Sequence, residues 1–331
     1  MIDKYNREIN YLRVSITDRC NLRCMYCMPK EGLSVIGHDD ILRYEEILRV
    51  VKAAVRAGIV KVRVTGGEPL VRKGIVDFLA DLKAINGLRD ISLTTNGILL
   101  ETFAERLYGS GGIKRINISL DSLDSQKYNM ITRGGNLKAV LRGIDKAHRA
   151  GFSPIKINVV AIKGFNEGEI LDFAELTMEK PYQIRFIELM PIGEAGIDNN
   201  GRFMSSKYVR ERIERFYDLD PVEGNENTMN GPARLYRIKG AAGQIGFISS
   251  MSHSFCESCN RLRLTADGHL RACLLSGEEV DVKGPLRAGC SDLELENLVK
   301  MIIAKKPMRH NIQCNDMHIK KCVREMSSMG G

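Results

Sequence analysis

The chain has 331 residues, 44% of them hydrophobic, which is enough for one large α/β domain with an appendage, or for two domains, without disulfide support. No run approaches 18 apolar residues and residues 1–6 hold no apolar signal core, which argues for a cytosolic protein with no membrane span. The formal charge of +8 suits an anionic partner; basic and acidic residues are interleaved and only 6% of residues are aromatic, with no Trp, which argues against a base-stacking nucleic-acid platform.

Residues 11–16 alternate as a strand, and that strand delivers the chain into Cys20-Asn21-Leu22-Arg23-Cys24-Met25-Tyr26-Cys27. Across 43–57, Ile47, Val51, Ala54 and Val55 share one helical face, and Gly58 closes the helix. The pattern then repeats. Strand-like runs at 60–65, 91–95, 116–120, 155–161 and 184–189 alternate with helix-like segments at 74–84, 100–108, 137–150 and 167–178. Six βα-spaced strands predict a parallel α/β sheet with right-handed crossovers; being short of eight, they predict a partly open (βα)6 TIM-like barrel. Past Met190 the chain turns loop-like, with a charged helix at 206–216, a hairpin from 234–238 and 244–248, and a last helix at 293–304. The expected organisation is a barrel over 1–200 and a C-terminal extension over 201–331.

Nine cysteines in a cytosolic chain point to metal ligation rather than disulfides. Cys20, Cys24 and Cys27 form one group and Cys256, Cys259 and Cys273 another, while Cys290, Cys314 and Cys322 stand apart as ordinary thiols. Soft thiolates select zinc, copper(I) or an iron–sulfur cluster. A structural zinc site wants four closed ligands, whereas a cubane on three cysteines leaves one iron open to an outside molecule. The alternative for the first group is half a zinc site or buried structural thiols; for the second it is a zinc ribbon completed by His253 or His269.

Gly66-Gly67-Glu68-Pro69 follows the second strand. Alone it is a βα turn, though its glycines would let backbone approach a ligand and Glu68 could accept hydrogen bonds from an ammonium. No phosphate-cradling lysine loop occurs, so a nucleotide would be held by scattered cations. Arg13, Arg63 and Lys156 fall on predicted inner strands, where a positive charge calls for either a core carboxylate or a bound anion. Arg261 and Arg263 alternate onto one face of a strand, two guanidinium forks suited to a polyphosphate.

CxxxCxxC after a strand resembles the radical S-adenosylmethionine superfamily, with Tyr26 where that superfamily usually carries an aromatic. The string from Arg13-Val14-Ser15-Ile16-Thr17-Asp18-Arg19-Cys20 through Tyr26-Cys27-Met28-Pro29, and the later CxxCNRxRLTxxGxLxxCL, resemble the GTP 3′,8-cyclase family of molybdenum cofactor biosynthesis, from residue 11 to 331. The resemblance implies two 4Fe-4S clusters, one on Cys20, Cys24 and Cys27 and one on Cys256, Cys259 and Cys273. It implies S-adenosyl-L-methionine at the first, contacted by Tyr26, Gly66, Gly67, Glu68, Ser119 and Met190. It assigns GTP to Arg13, Arg63, Thr94, Lys156, Arg261, Leu262 and Arg263, and brings Gly330 and Gly331 into the active site beside the catalytic Arg13, Arg261 and Arg263. Met329, where an isoleucine is common, is an apolar departure.

The implied reaction removes hydrogen from C3′ of GTP with a 5′-deoxyadenosyl radical and joins C3′ to C8 of guanine. The implied partners are an electron donor of flavodoxin or ferredoxin type and a downstream cyclic pyranopterin monophosphate synthase, with the chain a cytoplasmic monomer or homodimer. Two other readings compete: a peptide-modifying relative with an auxiliary cluster, and a zinc-stabilised nucleic-acid-binding protein.

Overall fold

The computed structural model describes residues 1–32, 34, 36–192, 201–222, 231–310 and 326–330. Six strands with helical crossovers come first. Strands β1 (Tyr11–Ser15), β2 (Lys61–Thr65), β3 (Asp90–Thr95), β4 (Arg115–Ser119), β5 (Ile155–Ala161) and β6 (Tyr182–Glu188) are connected through helices α1 (Tyr44–Arg56), α2 (Ile75–Lys83), α3 (Leu100–Tyr108), α4 (Ser125–Thr132), α5 (Leu137–Arg149) and α6 (Ile170–Glu179). Helix α1 buries Ile47, Val50, Val51, Ala53 and Ala54 on one face, and Glu45 and Glu46 in its first turn complement the helix dipole. Sequence periodicity did not predict α4, which spans eight residues; Asp124 starts it by accepting from the backbone N–H groups of Gln126 and Lys127.

Beyond residue 200 come α7 (Ser206–Glu214), β7 (Leu219–Pro221), β8 (Arg234–Ile238), β9 (Gln244–Ile248), β10 (Arg261–Leu264), β11 (His269–Arg271), β12 (Glu279–Asp281), α8 (Lys283–Arg287) and α9 (Asp292–Ala304). Their strands continue the same sheet, whose order is β12-β11-β10-β1-β2-β3-β4-β5-β6-β9-β8-β7. Strand β10 runs parallel to β1, and β9 parallel to β6. The predicted hairpin is β8 with β9, paired antiparallel. The six parallel strands thus gain one parallel neighbour at each side, and antiparallel strands finish both edges of the unclosed barrel. One hydrophobic core runs through the whole, taking in Leu12, Val64, Ile118 and Ile157 as well as Leu262, Val299 and Ile303.

Alternation along the strands decides which side chains meet the helices and which face inward. Leu12, Val14, Val62, Val64, Ile116, Ile118, Ile155, Ile157, Ile184 and Leu262 are buried in that core. The residues between them, Arg13, Arg63, Ser119, Asn158, Arg185, Arg261 and Arg263, line an inner cavity.

Near the start of the strands, Asp90 lies opposite Lys61 in register, 3.0 Å from its Nζ, and also pairs with Arg115. Asp90→Asn would leave two cations without their shared counter-charge. Urea unfolding of the full chain should show a loss of about 3 kcal/mol, whereas unchanged stability would mean the pair contributes nothing to the sheet.

Candidate active site

The first cysteine loop is held from two sides. On one side, Gly67 N–H donates to the Thr17 carbonyl at 2.6 Å and Glu68 N–H to that of Arg19 at 2.8 Å. A Cβ on Gly67 would lie 2.4 Å from the Arg19 carbonyl oxygen. A glycine is therefore required here by the chain's own backbone immediately before Cys20, a constraint separate from any ligand. On the other side, the Ile131 and Thr132 carbonyls at the end of α4 accept from Met25 N–H (2.8 Å) and Arg23 N–H (3.1 Å). Arg133 follows with φ +54° and donates from Nη1 to the Met28 carbonyl at 2.8 Å.

Cys20, Cys24 and Cys27 form no disulfide and line one wall of the cavity. Burial pushes the Cys20 thiol up to about 11 and the Cys24 thiol well above its ordinary value. Two carboxyls share this end. Burial pushes Glu68 up to about 7, although it accepts from Asn96 N–H (2.6 Å), the Thr95 hydroxyl (2.7 Å) and Leu70 N–H (3.0 Å). Burial likewise pushes Asp121 up to about 6, against hydrogen bonds from the Tyr26 hydroxyl (2.6 Å) and Val160 N–H (2.8 Å).

Such groups are poised for a cationic guest: thiols and carboxyls that burial keeps from ionising gain a counter-charge when iron or an ammonium arrives. Among the described residues, no three His, Cys, Asp or Glu side chains are gathered tightly enough to share one metal ion. Three thiols can hold a four-iron cluster with one iron left open, and Cys20, Cys24 and Cys27 are three soft donors lining one cavity.

The middle of the cavity is cationic. Arg263 lies beside Arg13 and Arg13 beside Arg63 in strand register, and Arg185 and Arg261 join them at the wall. Arg63 Nε reaches Ser92 Oγ at 3.4 Å, Arg185 Nε donates to Gln183 Oε1 at 2.8 Å, and the Arg261 guanidinium lies 4.7 Å from the Phe255 ring centroid. Among the described residues, Arg63, Lys156, Arg185, Arg261 and Arg263 form no ion pair with a carboxylate; Asp90 serves Lys61 and Arg115 instead. Burial, then the neighbouring arginines, push Lys156 down to about 5 and Arg185 and Arg263 each to about 9. Among the described residues, the Thr94 hydroxyl, buried in the same wall, has no hydrogen-bond partner.

Cys256, Cys259 and Cys273 line the far end. Burial pushes the Cys259 thiol up, but Arg261 and then Lys306 outweigh it and bring it down to about 6. The chain's tail meets the cationic row: Arg263 Nη1 donates to the carbonyls of Met329 (3.2 Å) and Gly330 (2.5 Å). Met329 is fully buried. Gly330 has φ +71°, and a Cβ there would lie 2.4 Å from Thr65 Cγ2. His269 turns to Asp267 at 3.2 Å, and among the described residues neither it nor His253, the fourth ligands the zinc-ribbon alternative named, lines the cavity; the histidine that does is His310.

Residues 14–177 match the family model described as the radical SAM superfamily, and residues 182–312 that described as Molybdenum Cofactor Synthesis C. A curated GTP 3′,8-cyclase of Moorella thermoacetica is 49% identical over 331 residues, covering 100% of both chains, and one of Thermodesulfovibrio yellowstonii is 50% identical over 333 residues, again covering 100% of both. The chain belongs to the GTP 3′,8-cyclase family. Among solved structures, Streptococcus suis SuiB bound to precursor peptide SuiA superposes with TM-score 0.63 at 14% identity, over 91% of this chain and 67% of that one. Native anSMEcpe with bound AdoMet superposes with TM-score 0.57 at 15% identity, over 90% and 81%. At such identities these two speak for the fold alone.

As a GTP 3′,8-cyclase family member, the chain is a radical S-adenosylmethionine enzyme of molybdenum cofactor synthesis, with iron–sulfur clusters and S-adenosylmethionine as its cofactors. Of the residues singled out in the sequence, both thiol groups, Arg13, Tyr26, Arg63, Gly66, Gly67, Glu68, Thr94, Ser119, Met190, Arg261 and Arg263 line one cavity. Lys156 is not among the lining residues; it is 6% exposed and shares the inward alternation of β5 with Asn158, which does line the cavity. Leu262 faces the helices, as its place in the strand alternation requires, and its side chain belongs to the core rather than to the cavity lining. Gly330 reaches the site through its carbonyl, and Gly331 lies outside the described residues.

Arg185, Asp121, Asn96 and Asn158 line the cavity of this GTP 3′,8-cyclase relative without having been singled out. The signal for Arg185 was available, since it alternates between the apolar Ile184 and Phe186, as Arg13 does between Leu12 and Val14 and Arg63 between Val62 and Val64. The crowding at Gly67 gives a test independent of cofactors. Gly67→Ala should lower the stability of the cluster-free chain by about 2 kcal/mol, in the range for overpacking, as read from denaturant unfolding; wild-type stability would mean that residues 17–19 yield freely.

Proposed function

We propose that this chain converts GTP to 3′,8-cyclo-7,8-dihydroguanosine 5′-triphosphate inside this one cavity, with each cluster at one end and the triphosphate between them. The observation that carries the reading is the continuity of the wall: first thiol group, row of cations, second thiol group. Cys20, Cys24 and Cys27 hold one 4Fe-4S cluster, and Cys256, Cys259 and Cys273 the other. When bound, the first supplies the electron that splits S-adenosylmethionine into methionine and a 5′-deoxyadenosyl radical.

Glu68 accepts the amino group of S-adenosylmethionine, and ionises as it does so because the ammonium offsets the burial that holds its pKa near 7. Tyr26, fixed by Asp121, with Gly66, Gly67, Ser119 and Met190, walls the same cofactor. Arg13, Arg63, Lys156, Arg185, Arg261 and Arg263 bind the triphosphate, whose charge relieves their mutual repulsion. Thr94 gains a partner for its buried hydroxyl, and Leu262 contributes backbone. Arg263 also draws Gly330 inward, so that the tail at Met329 and Gly330 shuts water out of the radical step. The electron donor is a flavodoxin or ferredoxin, the product passes to cyclic pyranopterin monophosphate synthase, and the chain works in the cytoplasm as a monomer or homodimer.

In this scheme the two thiol groups have separable roles. Cys24→Ala should abolish 5′-deoxyadenosine formation, while Cys259→Ala should retain it yet bind GTP more weakly; 5′-deoxyadenosine from Cys24→Ala would contradict the assignment.

Lys156 supplies a second test. In the empty site its pKa of about 5 leaves it neutral at pH 7.5. The entering triphosphate raises that pKa, so GTP binding should take up close to one proton, and affinity should fall as pH rises through the bound-state value. Calorimetry in buffers of differing ionisation enthalpy reads the uptake. Lys156→Met should remove it and weaken binding by about 1.5 kcal/mol; equal uptake in wild type and variant would rule Lys156 out.

A further inference from the structure

Lys306 follows α9 and turns its side chain inward, leaving the residue 2% exposed. An ammonium has three N–H donors and no acceptor. The three partners around this one are all acceptors: the Arg261 carbonyl at 2.7 Å, the Ala272 carbonyl at 2.8 Å and the Cys259 sulfur at 3.5 Å. Arg261 is two residues past Cys259, and Ala272 directly precedes Cys273. One nitrogen therefore ties together the two segments that carry the second thiol group. The third cysteine is gripped from nearby: Arg7, paired with Asp3 at 2.6 Å, donates to the Cys256 carbonyl at 2.8 Å and to the Pro307 carbonyl at 2.9 Å.

Among the described residues Lys306 forms no ion pair with a carboxylate, so the anion that compensates its burial is the thiolate group itself. Reduction adds negative charge to a cluster. A buried cation and an N–H···S hydrogen bond both stabilise the added charge, and so raise the reduction potential.

We propose that Lys306 is a positioning residue of the second iron–sulfur site, which holds Cys259 and Cys273 at their spacing and raises that cluster's reduction potential through its hydrogen bond to Cys259. This rests on the reading that Cys256, Cys259 and Cys273 carry a cluster.

The test is an anaerobic redox titration of the reconstituted full chain, followed by electron paramagnetic resonance, for wild type, Lys306→Met and Lys306→Arg. Added S-adenosylmethionine marks the first cluster's signal and so separates it from the second. At the wild-type midpoint, Lys306→Met should shift the second cluster's oxidised-to-reduced ratio about tenfold toward oxidised, about 59 mV for a one-electron couple. Lys306→Arg should stay near wild type.

Both clusters present in Lys306→Met with an unchanged midpoint would overturn the proposal. So would Lys306→Arg as defective as Lys306→Met, since volume rather than charge would then be the requirement. If Lys306→Met loses only the second cluster while Lys306→Arg keeps it at the wild-type potential, the proposal stands. Wild type with about four irons per chain rather than about eight would instead sink the two-cluster reading beneath it.

Discussion

Three arginines sit side by side on adjacent strands, Arg263 on β10, Arg13 on β1 and Arg63 on β2, all facing one cavity. Like charges directly across a sheet repel, and burial removes the water that would screen them. Burial first, and then repulsion from neighbouring cations, pushes Arg13 well below its ordinary value and lowers Arg185, Arg263 and Lys156 as well. Such a row persists because the opposite face of the same strands is apolar and closed by helices: Leu12, Val14, Val62, Val64, Leu262 and Leu264 belong to the continuous core. Hydrophobic burial on the outside of the sheet offsets the electrostatic strain on the inside, and a polyanion is the guest that removes the strain.

The two ends of the cavity are electrostatic opposites of its middle. Near Cys20, Cys24 and Cys27, burial keeps Glu68 and Asp121 close to neutral pH, so that end favours a cationic guest. Near Cys259, Arg261 and Lys306 favour the thiolate. The joints between these zones are backbone contacts rather than side-chain chemistry. Gly67 lies on residues 17–19, α4 docks on residues 23–25, and Gly330 lies against Ser15 and Thr65. The first cysteine loop and the tail are thereby held near the C-terminal ends of β1 and β2, the place where α/β folds gather ligands.

Much of this was legible in the chain itself. The βα rhythm gave the partly open barrel, and the charges on inner strands marked the cationic wall before any strand was paired. What the sequence did not display depends on contacts between distant residues. Nothing local says that β10 returns to pair in parallel with β1, which lies far earlier in the chain, and it is that pairing which turns separate arginines into a row. Helix α4 is short and only weakly amphipathic, so its docking role had no periodic signature. Gly66 and Gly67 read as ligand-approach glycines, yet the tightest approach is to the chain's own backbone. Lys306 stands among other lysines and arginines near α9, and only its burial beside a sulfur distinguishes it.

The central claim is that one cavity generates a radical at one end and presents GTP to it from the other. The most direct measurement is anaerobic incubation of the reconstituted full chain with GTP, S-adenosylmethionine and a reductant, with mass-spectrometric identification of the nucleotide product. The account predicts 3′,8-cyclo-7,8-dihydroguanosine 5′-triphosphate accumulating in step with 5′-deoxyadenosine. Intact clusters that cleave S-adenosylmethionine while GTP is recovered unchanged would contradict it.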